Sequence, residues 1–93
     1  MKTIYAVLKT EVWDGEDCNE DYGSFESIED AKKQLKKVRD EIYPDWENER
    51  IEDDSDCHFY AYRDGWWVDY HVILCIMEMK LWEKNEIETI YEN

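Results

Sequence analysis

Cys57-His58-Phe59-Tyr60-Ala61-Tyr62-Arg63, the dipeptide Asp64-Gly65 and the run from Trp66 to Trp82 read together as a β-hairpin. Asp-Gly between two runs of β-branched and aromatic residues marks a tight turn, because such turns need positive φ and these residues tolerate it. With a loop of two or four residues, Tyr62 faces Trp67, Phe59 faces Tyr70, His58 faces His71 and Cys57 faces Val72. Side chains alternate faces along a strand. One face then carries Cys57, Phe59, Ala61, Val68, Tyr70, Val72, Leu74 and Ile76, an apolar set expected to form the core. The other carries His58, Tyr60, Tyr62, Trp67, Asp69 and His71, the mixed aromatic and polar composition of a contact surface. Beyond Val72 both faces turn apolar (Ile73, Leu74, Cys75, Ile76, Met77), as in a central strand covered on both sides.

Working outward, residues 2–13 alternate as a strand, with Ile4, Ala6, Leu8 and Val12 on one face and Tyr5, Val7, Lys9, Glu11 and Trp13 on the other. Apolar groups on both sides place it next to the long strand. Residues 14–26 read as an acidic loop. Residues 27–42 read as the helix: Ser27-Ile28-Glu29-Asp30 resembles a capping box, and Ile28, Ala31, Leu35, Val38 and Ile42 recur at helical spacing. Pro44 disfavours helical geometry at Tyr43, so the helix is expected to stop there. Residues 45–56 read as a second acidic connection that Trp46 and Ile51 pin to the core. Residues 86–91 fit a final strand or a helical stripe equally well. The expected fold is a single α+β domain: a three- to four-stranded, mostly antiparallel sheet around the hairpin 57–82, with helix 27–42 on one face.

Ninety-three residues with 43% hydrophobic content, seven Tyr and five Trp support one modest core. No apolar run approaches 18 residues, and the N-terminal one is too short for a secretory signal, so no membrane association is expected. Three cysteines without CxxC or Cys/His zinc spacing fit reduced thiols, and a cytoplasmic location is expected.

No catalytic or cofactor motif stands in the chain, so neither enzyme activity nor a cofactor is expected. Cys18 and Cys57 sit among carboxylates and Cys75 in a core strand, the opposite of what activates a thiol. A calcium loop counted from Asp14 would need Gly at the sixth position and Glu at the twelfth; it has Asn19 and Phe25. The opposed His58/His71 pair is the one arrangement that suggests a metal site.

Charge dominates the sequence: 25 acids against 11 bases give a net −14. This opposes direct binding to nucleic acid or anionic lipid and favours basic partners. The helix cations Lys32, Lys33, Lys36, Lys37 and Arg39 read as a solvated face flanked by acids. Acids concentrate before the helix (Asp14, Glu16, Asp17, Glu20, Asp21) and after it (Glu47, Glu49, Glu52, Asp53, Asp54). Duplex DNA carries about one negative charge per 1.7 Å of axis, and carboxylates are good bidentate partners for Arg.

In size, acidity and Tyr/Trp content the chain resembles the small DNA-mimicking inhibitors of phages and mobile elements, including anti-restriction proteins, anti-CRISPR proteins and the inhibitor of uracil-DNA glycosylase. The resemblance is compositional, spans the whole chain and assigns no residue. It implies an inhibitor that blocks a basic nucleic-acid-binding protein; the chain's own pattern makes those ten acids the expected contacts, with Tyr60, Tyr62 and Trp67 as aromatic anchors. The alternatives from the residues themselves are a homodimeric or adaptor module using the aromatic sheet face, and a metal-binding domain at His58 and His71.

Overall fold

A computed structural model describes residues 2–63 and 70–81. They form β1 (Lys2–Trp13), β2 (Glu16–Phe25), α1 (Ile28–Trp46), β3 (Arg50–Asp54), β4 (His58–Arg63) and β5 (Tyr70–Leu81). The strands make one sheet in the order β2-β1-β5-β4-β3, and every neighbouring pair is antiparallel. The long strand is central with β1 beside it, as expected. The Asp64-Gly65 turn, Trp66, Trp67, Val68, Asp69 and the segment 82–93 lie outside the described residues.

There are five strands rather than three or four, because both acidic connections pair. Residues 14–26 are not a loop. Asp14 (φ 51) and Gly15 (φ 85) make a tight two-residue turn that folds β2 back on β1, with Trp13 opposite Glu16 and Leu8 opposite Asp21. This is the Asp-Gly hairpin signal again, 50 residues upstream of the one at Asp64-Gly65. Gly23 (φ 110) lies where the register shifts between Ala6 and Leu8, bending the end of β2. Likewise Arg50–Asp54 is a strand, held by Ile51 opposite Ala61. A Cβ at Gly15 would meet nothing within 4 Å, so only the left-handed backbone resists it. Gly15→Ala is expected to cost about 1 kcal/mol, read as a lower urea midpoint with an unchanged slope.

The β4–β5 register differs from the expected one by four residues. Phe59 faces Leu74, Ala61 faces Val72 and Tyr62 faces His71. A slip of even number keeps each side chain on its face, so the expected core survives the error. Phe59, Ala61, Val72 and Leu74 are fully buried, and Tyr70 and Ile76 pack against them. Cys57, expected in that core, is exposed.

α1 crosses this face. Ser27 caps it, accepting from the Asp30 amide, and Ala31, Leu35 and Val38 are buried against Val7, Phe59 and Leu74. Ile28 stays largely exposed. The helix does not stop before Pro44 but runs on to Trp46. A proline inside a helix costs about 3 kcal/mol. Burying an indole returns about 4 kcal/mol at 25 cal/mol per Å². Trp46 is 2% exposed, its ring 4.7 Å from that of Tyr70. Packing of Trp46 therefore outweighs the local preference at Tyr43-Pro44.

β2 and β3 run parallel at opposite edges of the sheet, and α1 joins the end of one to the start of the other. The two acid-rich segments are thus its two edge strands, where charge also discourages pairing with another chain. No helix among the described residues is long and apolar enough to cross a membrane.

Candidate functional site

The ten carboxylates expected to meet a partner divide sharply. Those after the helix are largely paired within the chain. Arg63 Nε donates to Glu49 at 2.9 Å, Arg39 donates to Asp54 at 2.6 Å, and Arg50 lies 3.4 Å from Glu52. The Tyr62 hydroxyl donates to Glu52 at 3.1 Å, and His58 Nδ1 is 2.7 Å from Asp53. Helix cations take part: Lys32 pairs with Asp56, Lys36 with Asp40 and Arg39 with both Asp40 and Asp54. Glu47 is the member of this group with no ion pair among the described residues.

The β1–β2 hairpin is different. Asp14, Glu16 and Asp17 have no ion pair among the described residues, and Asp21 accepts only from the Gly23 amide, at 2.8 Å. Of these five acids Glu20 is the one that meets a cation among the described residues, Lys9, at 3.4 Å. Lys9 is 7% exposed and lies on the helix side of β1, 3.0 Å from Glu11 and 5.7 Å from the Tyr22 ring centre. Burial alone would lower its pKa. The Glu11 carboxylate and the Tyr22 hydroxyl override that and raise it above the ordinary lysine value. The Tyr22 hydroxyl, donating to Glu20 at 2.6 Å, and then Lys9 hold the Glu20 carboxyl below its usual range. Gln34 of α1 donates to the Tyr22 carbonyl at 3.0 Å, so this network ties β2 to the helix. The sequence signal for it was Lys9 and Glu11 two residues apart on the strand face that also carries Tyr5, Val7 and Trp13.

With a net −14 and the hairpin acids Asp14, Glu16, Asp17 and Asp21 without an ion pair among the described residues, repulsion among carboxylates opposes folding. Raising NaCl from about 0.01 to about 0.5 M shrinks the Debye length roughly sevenfold. The melting temperature is expected to rise over that range in differential scanning calorimetry; a fall would mean that internal ion pairs dominate.

The sheet face opposite α1 carries the second part of the site. Along β1 it presents Ile4, Leu8, Thr10 and Val12; along β5 the residues opposite them are Met79, Cys75, Ile73 and His71, with Met77 beside Met79. No element among the described residues covers it. Met77 is 48% and Met79 37% exposed, Ile4, Leu8, Val12 and Ile73 are half-buried, and Ala6, opposite Met77, is buried. On the β2 side Asp17 stands opposite Val12 and Asp21 opposite Leu8. On the β4 side come Tyr60 and Tyr62, ring centres 6.0 Å apart, with His71 5.9 Å from Tyr60 and then Asp53 and Glu52. Tyr60 and Tyr62 are thus brought together as expected; Trp67 lies outside the described residues. The apolar centre was legible as the doubly apolar reading of β1 and β5, but cover on both faces was expected and among the described residues only one is covered.

His58 and His71 are not opposed. His58 faces Cys75, and His71 sits four residues further along β5, roughly 13 Å away at 3.3 Å per residue. His58 is hydrogen-bonded to Asp53 instead. Among the described residues no group of three His, Cys, Asp or Glu side chains is placed to hold a metal ion. Cys18 and Cys57 are exposed, and burial raises the Cys75 thiol pKa, which disfavours the thiolate. No protein-family model, curated protein or solved structure matched the chain.

Proposed function

We propose that this chain is a non-enzymatic, protein-binding inhibitor that offers an anionic surface to a basic nucleic-acid-binding protein and occludes its nucleic-acid site. The observation that carries the reading is the pair Asp17 and Asp21, without an ion pair among the described residues and opposite Val12 and Leu8 on the sheet face away from α1, with Asp14 and Glu16 at the adjoining turn. Carboxylates already paired to Arg39, Arg50 and Arg63 are poorly placed to recruit a partner's arginines. Unpaired ones steer encounter at low cost, while the apolar and aromatic groups beside them supply contact area. The functional acids therefore narrow from ten to those of the hairpin.

The test is capture of partners on immobilised protein, followed by elution with duplex DNA. Basic nucleic-acid-binding proteins released by DNA, and by salt between about 50 and 200 mM, are the expected result, with loss of capture on D17N/D21N. Captured proteins that neither DNA nor salt displaces would contradict it. A second reading, a homodimer through the uncovered sheet face, is favoured by the exposure of Met77 and Met79. It predicts a concentration-dependent dimer in gel filtration that low salt weakens, since each copy carries −14.

A further inference from the structure

The uncovered sheet face has a profile that specifies more than the sign of its partner. From β2 to β3 it passes from acid (Asp17, Asp21) through two largely apolar strands to tyrosine and then to Asp53 and Glu52, which His58 and Arg50 of the same face already pair. The apolar band is two strands wide, about 10 Å at 4.8 Å per strand. From Val12 to Ile4 it is roughly 27 Å long at 3.3 Å per residue. An α-helix is about 10 Å across and rises 1.5 Å per residue, so about 18 residues would span the band. α1 already fills the opposite face in this way, its apolar stripe on the sheet.

We infer that the uncovered face is the seat of a cationic amphipathic helix supplied by the partner, its apolar stripe on Leu8, Ile73, Met77 and Met79 and its flanking Lys or Arg side chains reaching Asp17 and Asp21. The inference rests on the proposed function for the sign of the partner's charge. The apolar band requires independently that the partner bring an apolar stripe. A second copy of this chain would bring a matching apolar band, but each copy carries a net −14. A basic helix is complementary in both respects. Two methionines at the open end of the band suit such a seat, since an unbranched thioether adapts to the side chains it meets.

The test is calorimetric titration of the full chain with a synthetic 18-residue Leu/Lys peptide, leucines at helical three-four spacing, against a scrambled peptide of the same composition. The ordered peptide is expected to bind at least about tenfold more tightly than the scrambled one. The variant M77S/M79S, at positions exposed enough to leave the fold intact, is expected to weaken the ordered peptide about tenfold. D17N/D21N is expected to weaken both peptides. Equal binding of the two peptides, unaffected by M77S/M79S, would overturn the helix seat while leaving the anionic-surface reading standing. Failure of both peptides to bind at low salt would overturn both. A dimer in sedimentation equilibrium that M77S/M79S dissociates would make a second copy the occupant and overturn the helix seat.

Discussion

Leu74→Ala is expected to remove about 3 kcal/mol of stability, while Ile73→Ala, one residue earlier on the same strand, is expected to remove about 1 kcal/mol. Leu74 is fully buried under α1, among Phe59, Leu35 and Val7. Truncation there loses the transfer term and leaves a cavity. Ile73 points to the other side, where nothing among the described residues lies above it. Its neighbours can relax and water can enter, so the cavity term is largely absent. A domain of this size has roughly 5–14 kcal/mol in total. The Leu74 variant should therefore melt roughly 15 °C lower, the Ile73 variant roughly 5 °C lower. Equal losses at the two positions would mean that the second face is also covered in solution.

Lys9→Ala is the other large effect, at about 2 kcal/mol near neutral pH. It leaves Glu11 and Glu20 facing each other at the edge of the core without the ammonium between them. The loss should depend on pH in a set direction. Glu20 has a pKa lowered in the folded chain by the Tyr22 hydroxyl first and then by Lys9, and the Lys9 share of that contribution is present above the ordinary glutamate value and disappears as pH falls through the lower native value. The raised Lys9 pKa contributes at all pH below the ordinary lysine value and is lost only as pH rises beyond it into alkali. Between about pH 5 and 10 both are in place. The difference between wild type and Lys9→Ala, from urea titrations, should therefore be largest there and shrink below about pH 4. A difference independent of pH would assign the loss to packing of the lysine stem.

Much of the fold was legible because burial is a stronger signal than register. Phe59, Ala61, Val72 and Leu74 reach the core under either pairing, since the wrong register differs from the right one by an even number. The same slip had a chemical consequence: it set His58 against His71, and the metal site suggested by that pairing vanished. β2 was hidden because Glu16-Asp17-Cys18-Asn19-Glu20-Asp21 has almost no strand preference. Its pairing comes from the Asp14-Gly15 turn and from Tyr22 and Phe25, which reach the core. The end of α1 was hidden because Pro44 speaks locally, whereas the burial of Trp46 against Tyr70 depends on a strand 24 residues away.

The acidic segments were visible at once, but their inequality was not. Spacing along the chain cannot show that Arg39 reaches Asp54 or that Arg63 reaches Glu49, because those pairs exist only once β3, β4 and α1 have met. Among the described residues Asp14, Glu16, Asp17 and Asp21 have no such cation within reach. What the described residues offer at the β1–β2 hairpin is therefore a charged flank beside an apolar band.

Methyl NMR of the protein labelled at methionine Cε tests this most directly. Met77 and Met79 lie on the uncovered face, far from the Lys32, Lys36 and Arg39 side of α1. On titration with a captured protein that duplex DNA displaces, both resonances are expected to shift and to saturate together with binding, and D17N/D21N should move the midpoint to higher concentration. A partner that binds with equal strength while both methyl resonances stay where they are would place its contact elsewhere and contradict the account.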